Sequence, residues 1–287
     1  MKVYPFKIPK PLNQNLIVQV DESKMFYGQL HQHEEIQLSW IVKGKGKLIT
    51  GDSIHHFSNN DFFVIGPNCP HLFQSELMDE NAKMISLFFT RDSFGKDFFD
   101  LADIQEVQPF FNCAKNGFRL VSDRKEVHKL IEQMPRQGKL TRFISLLQLM
   151  KILCTARKEM LTGFVYPKHI GDRDGQRLQS IFDYVVNNFQ QEIRLGIISE
   201  LAFMTPNAFC RFFKKQTNKT FFQFLIELRL EHACHLLATS NLSIAEIAEQ
   251  SGFNSISNFN RQFKAQKGMA PTQYADNPSL KKKKGQQ

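Results

Sequence analysis

Two groups of residues in this 287-residue chain have the types and spacing to do chemistry. The first is His31-Gln-His33, with Gln37 four residues further on and His71 well downstream. Alternate residues of an extended strand share a face, so His31 and His33 are expected to turn to the same side. Imidazoles grouped in this way can hold a transition metal, hydrogen-bond a small molecule, or serve as ordinary structural residues. Gln37 adds an amide, a poorer metal ligand than a carboxylate. The expectation is therefore an effector-binding pocket formed by His31, His33, Gln37 and His71, with no metal and no cofactor.

The second group is a pattern that occurs twice. Phe209-Cys-Arg-Phe-Phe-Lys214 matches Phe259-Asn-Arg-Gln-Phe-Lys264 at an offset of 50, and just upstream Leu195, Ile198 and Ser199 match Ile244, Ile247 and Ala248 at an offset of 49. Each copy reads as a short helix, a tight turn and a second helix. Ser199 and Ala248 are the small residues needed where two helices cross closely, and Gly252 suits a turn with positive φ. Phe203 stands in the corresponding place of the first copy and departs from that rule. Thr205-Pro206 and Ser255 are the expected caps of the second helices. Phe209/Phe213 and Phe259/Phe263, at i and i+4, anchor those helices to their own domain. The opposite face carries Asn207, Cys210, Arg211 and Lys214 in one copy, and Ser257, Asn258, Asn260, Arg261 and Lys264 in the other. These types suit base edges and phosphates, so double-stranded DNA is the expected partner.

The elements that must position these groups follow from the rest of the chain. Up to about residue 92, short apolar runs such as Ile36–Val42 and Asp61–Ile65 lie between turn signals, which predicts a small barrel or jelly roll. From residue 93 to 166 the pattern is helical. Phe143, Leu146, Leu147, Met150 and Leu153, broadened by Leu149, form a stripe that could pack on the chain's own barrel or on a second copy. Residues 167–175 read as a linker, 176–276 as the DNA-binding domain and 277–287 as a basic tail. The fold class is thus α+β with two domains.

Net charge is +9, and 14 Lys/Arg against 8 Asp/Glu fall from Gly175 onward, including Lys281–Lys284. The five cysteines are scattered without a CxxC pair, which argues against a disulfide scaffold or structural zinc and fits a reducing cytoplasm. No run approaches the ~18 apolar residues of a membrane span, so no membrane partner is expected.

The C-terminal stretch resembles the AraC/XylS family of bacterial transcription activators. The resemblance covers about residues 176–276 and is carried best by Ser243–Lys264, continuing through Gly268-Met-Ala-Pro-Thr-Gln-Tyr274. It implies that the helix from Phe221 to Leu237 joins two reading units, which would enter successive major grooves about one turn (~34 Å) apart. It also implies a homodimer, an activating role and RNA polymerase as a further partner. The N-terminal histidines are similar to the cupin barrel motif: Gly44 keeps its spacing, Gln37 replaces its acid, and the second motif is one residue short. The reading is a small-molecule-responsive, sequence-specific transcription regulator and not an enzyme. Its alternatives are a metal-dependent cupin enzyme fused to a DNA-binding domain, and an architectural DNA-binding protein without effector.

Overall fold

Alternation along the central strands explains the N-terminal unit. In β2 (Ile36–Lys43), Ile36, Leu38 and Trp40 join one apolar cluster, while Ile41 joins another and Gln37 and Ser39 are buried between. The neighbouring strands β5 (Phe62–Ile65) and β7 (Ala82–Phe89) divide in the same way: Phe62, Val64, Ile85 and Leu87 to the first cluster, Phe63, Ile65 and Met84 to the second. A sheet covered on both faces needs apolar residues at nearly every position, which is why these strands read as continuous runs.

The computed structural model describes residues 15–26, 28–76, 81–166 and 170–276. It divides into two compact units, Met1–Gly175 and Gln176–Gln287. In the first, β1 (Ile17–Ser23), β7, β2, β5, β8 (Phe118–Leu120) and β9 (Lys158–Met160) form a six-stranded sheet in that order. A three-stranded sheet, ordered β4 (Ser53–Phe57), β3 (Gly46–Thr50), β6 (His71–Ser75), faces it, and all pairings are antiparallel. Leu48, Phe57 and Phe73 of the small sheet meet Ile41, Phe63 and Met84 of the large one in the core between them.

The other face of the large sheet is covered by α1 (Gln108–Ala114), α2 (Arg124–Gln133) and α3 (Lys139–Thr155). Leu146, Leu149, Met150 and Leu153 of α3 are fully buried there, so the broad stripe packs on the chain's own sheet. The stretch read as wholly helical also supplies β8 and β9. Their three residues each carry too little pattern to announce a strand, and pairing decides it, β8 with β5 and β9 with β8. Asp61, 1% exposed, ties this layer to the sheet by accepting from Arg119 at 2.7 Å and Arg124 at 3.1 Å.

Of the stretch read as a linker, residues 167–169 lie outside the described residues, and α4 (Asp172–Asn188) already begins within it. The tail 277–287, with Lys281–Lys284, also lies outside the described residues.

The second unit is helical: α4, α5 (Leu195–Leu201), α6 (Pro206–Thr217), α7 (Phe221–Thr239), α8 (Ile244–Gln250), α9 (Ile256–Lys267) and α10 (Pro271–Ala275). α7 is apolar over most of its surface, apart from the line Gln223, Glu227, Glu231 and His235, because it serves two cores. Its first turns bring Phe221 and Phe224 against Phe213 at 5.5 and 5.6 Å. Its later residues Leu230, Ala233 and Leu237 pack with Ile247, Phe259 and Phe263. Capping boxes start α7 (Thr220 with Gln223) and α8 (Ser243 with Glu246). Among the described residues, no helix is long and apolar enough to cross a membrane.

Candidate functional site

The repeat in the sequence is a repeat in the backbone. In the α5–α6 unit, Phe203 N–H donates to Glu200 O (2.9 Å) and Met204 N–H to Ser199 O (2.9 Å). In the α8–α9 unit, Gly252 N–H donates to Glu249 O (2.9 Å) and Phe253 N–H to Ala248 O (3.0 Å). The two turns therefore correspond bond for bond, and Phe203 (φ 54°) is held in the same left-handed region as Gly252 (φ 81°). The second turn is one residue longer before its cap. Thr205 Oγ1 accepts from Ala208 N–H and Ser255 Oγ from Asn258 N–H, both at 3.4 Å. Ser199 and Ala248 are buried at the crossings.

The proposed reading residues all emerge exposed. Asn207, Cys210, Arg211 and Lys214 lie along α6 at i, i+3, i+4 and i+7, while Phe209 and Phe213 opposite are fully buried. Ser257, Asn260, Arg261 and Lys264 repeat that stripe on α9, above buried Phe259 and Phe263. Asn258 is exposed beside them and accepts from Arg261 Nη2 at 2.9 Å, which steadies the guanidinium.

One residue that the sequence did not single out ties the two halves together. Arg229 of α7 donates from Nε to Phe189 O and from Nη2 to Gln191 O, each at 2.7 Å. Gly252 closes on the same segment: a Cβ there would lie 2.6 Å from Phe189 O and 2.8 Å from Arg229 Nε. Gln190 Nε2 completes the junction by donating to Gln250 O at 2.8 Å.

In the barrel, His31, His33 and His71 come together with ligand atoms all within 4.8 Å of one another. His31 and His71 are riveted by reciprocal backbone hydrogen bonds of 3.0 and 2.8 Å. Each imidazole places Nδ1 at a backbone carbonyl: His31 at Gln29 O (2.8 Å), His33 at Glu35 O (3.0 Å) and His71 at Cys69 O (2.8 Å). Gln37 Oε1 lies 3.1 Å from His33 Nε2 and 2.9 Å from His71 Nε2. Its Nε2 lies 2.8 Å from Ser39 Oγ, which in turn is 2.8 Å from Ser86 Oγ on β7. Burial pushes His31 down to about 4, although it keeps some exposure at the rim of the group. Burial, reinforced by the neighbouring imidazoles, holds His71 well below the usual range. Both are neutral at neutral pH.

Comparison with known proteins matches both units. A helix-turn-helix domain family matches residues 198–277, and the AraC-like ligand binding domain family matches residues 20–133. The chain belongs to the AraC family of transcriptional regulators. Its relatives include the probable transcriptional regulator LumQ of Photobacterium leiognathi, 24% identical over 260 residues, 89% of this chain and 93% of that protein. The transcriptional activator RhaR of Mannheimia succiniciproducens is 23% identical over 253 residues, 85% of this chain and 86% of that one. Among solved structures, the C-terminal domain of the response regulator yesN of Fusobacterium nucleatum is 30% identical across 33% of this chain and 94% of that domain, with a TM-score of 0.33. This AraC-family protein is a DNA-binding transcriptional regulator with an N-terminal ligand-binding domain.

Around the histidines of this regulator, sequence reasoning missed Ser39, Ser86 and Glu35. The two serines left a signal, as polar residues at inward positions of otherwise apolar strands. Glu35, 5% exposed, brings a carboxylate oxygen to 3.6 Å from His33 Nδ1. No periodicity points to it, because it lies in the turn before β2.

Proposed function

We propose that this protein is a sequence-specific activator that reads DNA with α6 and α9 and answers to a small-molecule effector held by His31, His33, Gln37 and His71. One observation carries the reading: the polar stripe of α6 recurs on α9 at an offset of 50, exposed in both and backed by the same buried phenylalanine pair. A merely solvated helix face has no reason to be duplicated in register. Arg211 and Arg261 have the fork geometry that suits guanine, Asn207, Asn258 and Asn260 suit adenine, and Ser257, Lys214 and Lys264 suit phosphate oxygens. Cys210 offers only a weak donor in the first unit, so α9 is the stronger reader. RhaR, a relative, is described as an activator, which supports the same role here. Dimerisation through α3 and contact with RNA polymerase complete the proposal.

Binding of a promoter fragment, selected from genomic DNA by the protein itself, tests the assignment. Arg211→Ala and Arg261→Ala are each expected to cost ~1–3 kcal/mol of specific binding and to relax discrimination at one base position. If both variants bind the selected fragment as tightly as the parent protein, α6 and α9 are not the reading helices.

A further inference from the structure

We propose that residues 161–166, which follow β9 on the way to α4, form a strap whose seating in the barrel couples the effector group to the DNA-binding unit. Tyr166 is the side chain that holds it down. The inference rests on the reading of His31, His33, Gln37 and His71 as the effector group, and it names how that group is linked to the rest of the chain.

The seat is built from backbone, side chains and core. Leu161 and Thr162 N–H donate to Gly117 O and Asn116 O at 3.1 and 3.2 Å. Thr162 Oγ1 also donates to Asn116 O (3.1 Å), and Asn116 Nδ2 donates back to Thr162 O (3.1 Å). Leu161 O accepts from Ser53 Oγ and from His55 Nε2, the latter at 3.0 Å. The Tyr166 ring then joins the core between the two sheets, 5% exposed, in one cluster with Leu48, Phe63 and Phe73. Phe164 meets it edge-on at 4.9 Å. Below the ring lies the bare backbone of Gly51 (φ 56°), where a Cβ would stand 2.7 Å from Tyr166 Cε2 and 3.1 Å from Thr162 Cγ2. Four residues beyond Tyr166, Ile170 O accepts from Gln32 Nε2 at 3.3 Å.

The seat and the effector group share their supports. Gln32 stands between His31 and His33 in the chain. Cys69, in the same core cluster as Tyr166, gives its carbonyl to His71 Nδ1 at 2.8 Å. Thr50, next to Gly51, is the register partner of His71, and Gly51 N–H donates to Pro70 O at 2.8 Å. A ligand that shifts the imidazoles therefore shifts the strap's footing, which supplies the differential affinity that coupling requires.

The seat is also incompletely satisfied. The Tyr166 hydroxyl is buried without a hydrogen-bond partner among the described residues, as is Gln32 Oε1. Burial, with the Cys69 thiol and the Asp52 carboxylate nearby, pushes the Tyr166 hydroxyl up, so it stays a protonated donor. A buried donor left unpaired opposes burial of its ring, so the strap is held less firmly than its apolar contacts alone would hold it. Seating also sets a leash. With Ile170 held, α4 begins two residues on, a reach of roughly 7 Å; with the strap free, the last anchored residue is Met160, and the reach to Asp172 grows to roughly 40 Å.

The test uses the full chain without ligand and reads two quantities. One is hydrogen exchange of the peptides covering 158–166; the other is affinity for the promoter fragment that the protein selects. Tyr166→Ala is expected to speed exchange at Leu161 and Thr162 by roughly tenfold or more, and to change DNA affinity by about 5–100-fold. Tyr166→Phe keeps the ring and loses the unpaired hydroxyl, so it should match or exceed the parent's protection and leave affinity within about twofold. Thr162→Val, a milder change, is expected to move both quantities in the direction of Tyr166→Ala, so the test survives if the alanine variant does not fold. Opened strap amides with unmoved DNA affinity, unmoved amides in both unseating variants, or a Tyr166→Phe protein as loose as Tyr166→Ala overturns the proposal. Failure of the effector reading shows elsewhere, as candidate small molecules that leave the parent's DNA affinity unchanged.

Discussion

Phe203 occupies a conformation made for glycine, and its side chain, 89% exposed, gains almost nothing in return. A non-glycine residue in the left-handed region costs ~1–2 kcal/mol, offset in a glycine variant by ~0.4–1 kcal/mol of extra unfolded-state entropy. Phe203→Gly is therefore expected to raise stability by ~0.5–1 kcal/mol in a denaturant melt. An unchanged or lowered midpoint would mean that the ring makes a stabilising contact that its exposure conceals. The turn itself was legible, since the matching residues on either side place Phe203 opposite Gly252. The conformation of Phe203 was not, because propensity argues against it and the surrounding bonds impose it. The histidines show the same division. Their types and alternation mark a candidate group, but the carbonyls of Gln29, Glu35 and Cys69 that meet each Nδ1 are encoded by no side-chain pattern.

At the scale of elements, the caps and repeats were readable because their determinants lie within a few residues of one another. Thr205, Ser255 and the Gly268–Tyr274 closing segment are of this kind, with Gly268 at φ 73° ending α9 and Tyr274 packing on Phe263 at 5.4 Å. The clasp between α7 and the second turn is of the other kind, since Arg229 meets residues about 40 positions away. Gly252 serves both: its φ is local, but the contact that forbids a Cβ is made with Phe189 and Arg229. Gly252→Ala is expected to cost at least ~2 kcal/mol, more than a left-handed alanine alone, because backbone must also shift. The check is the unfolding midpoint of the protein beside that of Phe203→Ala, which occupies the equivalent turn without the close approach. Equal tolerance at the two positions would remove the clasp from the account.

For the whole molecule, the open question in the sequence was what α3 packs against. Its buried residues lie on the chain's own sheet, and yet Leu140 (72% exposed) and Ile144 (47% exposed) stand one turn apart on the other side, with Leu147 partly covered. The proposed dimer must use these residues. Leu140→Glu with Ile144→Glu is expected to leave the melting behaviour close to that of the parent and to convert dimer to monomer in sedimentation equilibrium. A parent protein that sediments as a monomer, or a dimer indifferent to both charges, rules α3 out as the interface. By itself the sequence determined that the chain carries two helix-turn-helix units with matching polar faces, because periodicity, caps and repeat spacing are written within single helices. Only the tertiary structure decided that α3 covers its own sheet, that β8 and β9 extend that sheet, and that Gln37 spans two imidazoles and a serine. Each of those joins residues separated by tens of positions, where the folding of the intervening chain, and no local pattern, sets the distance.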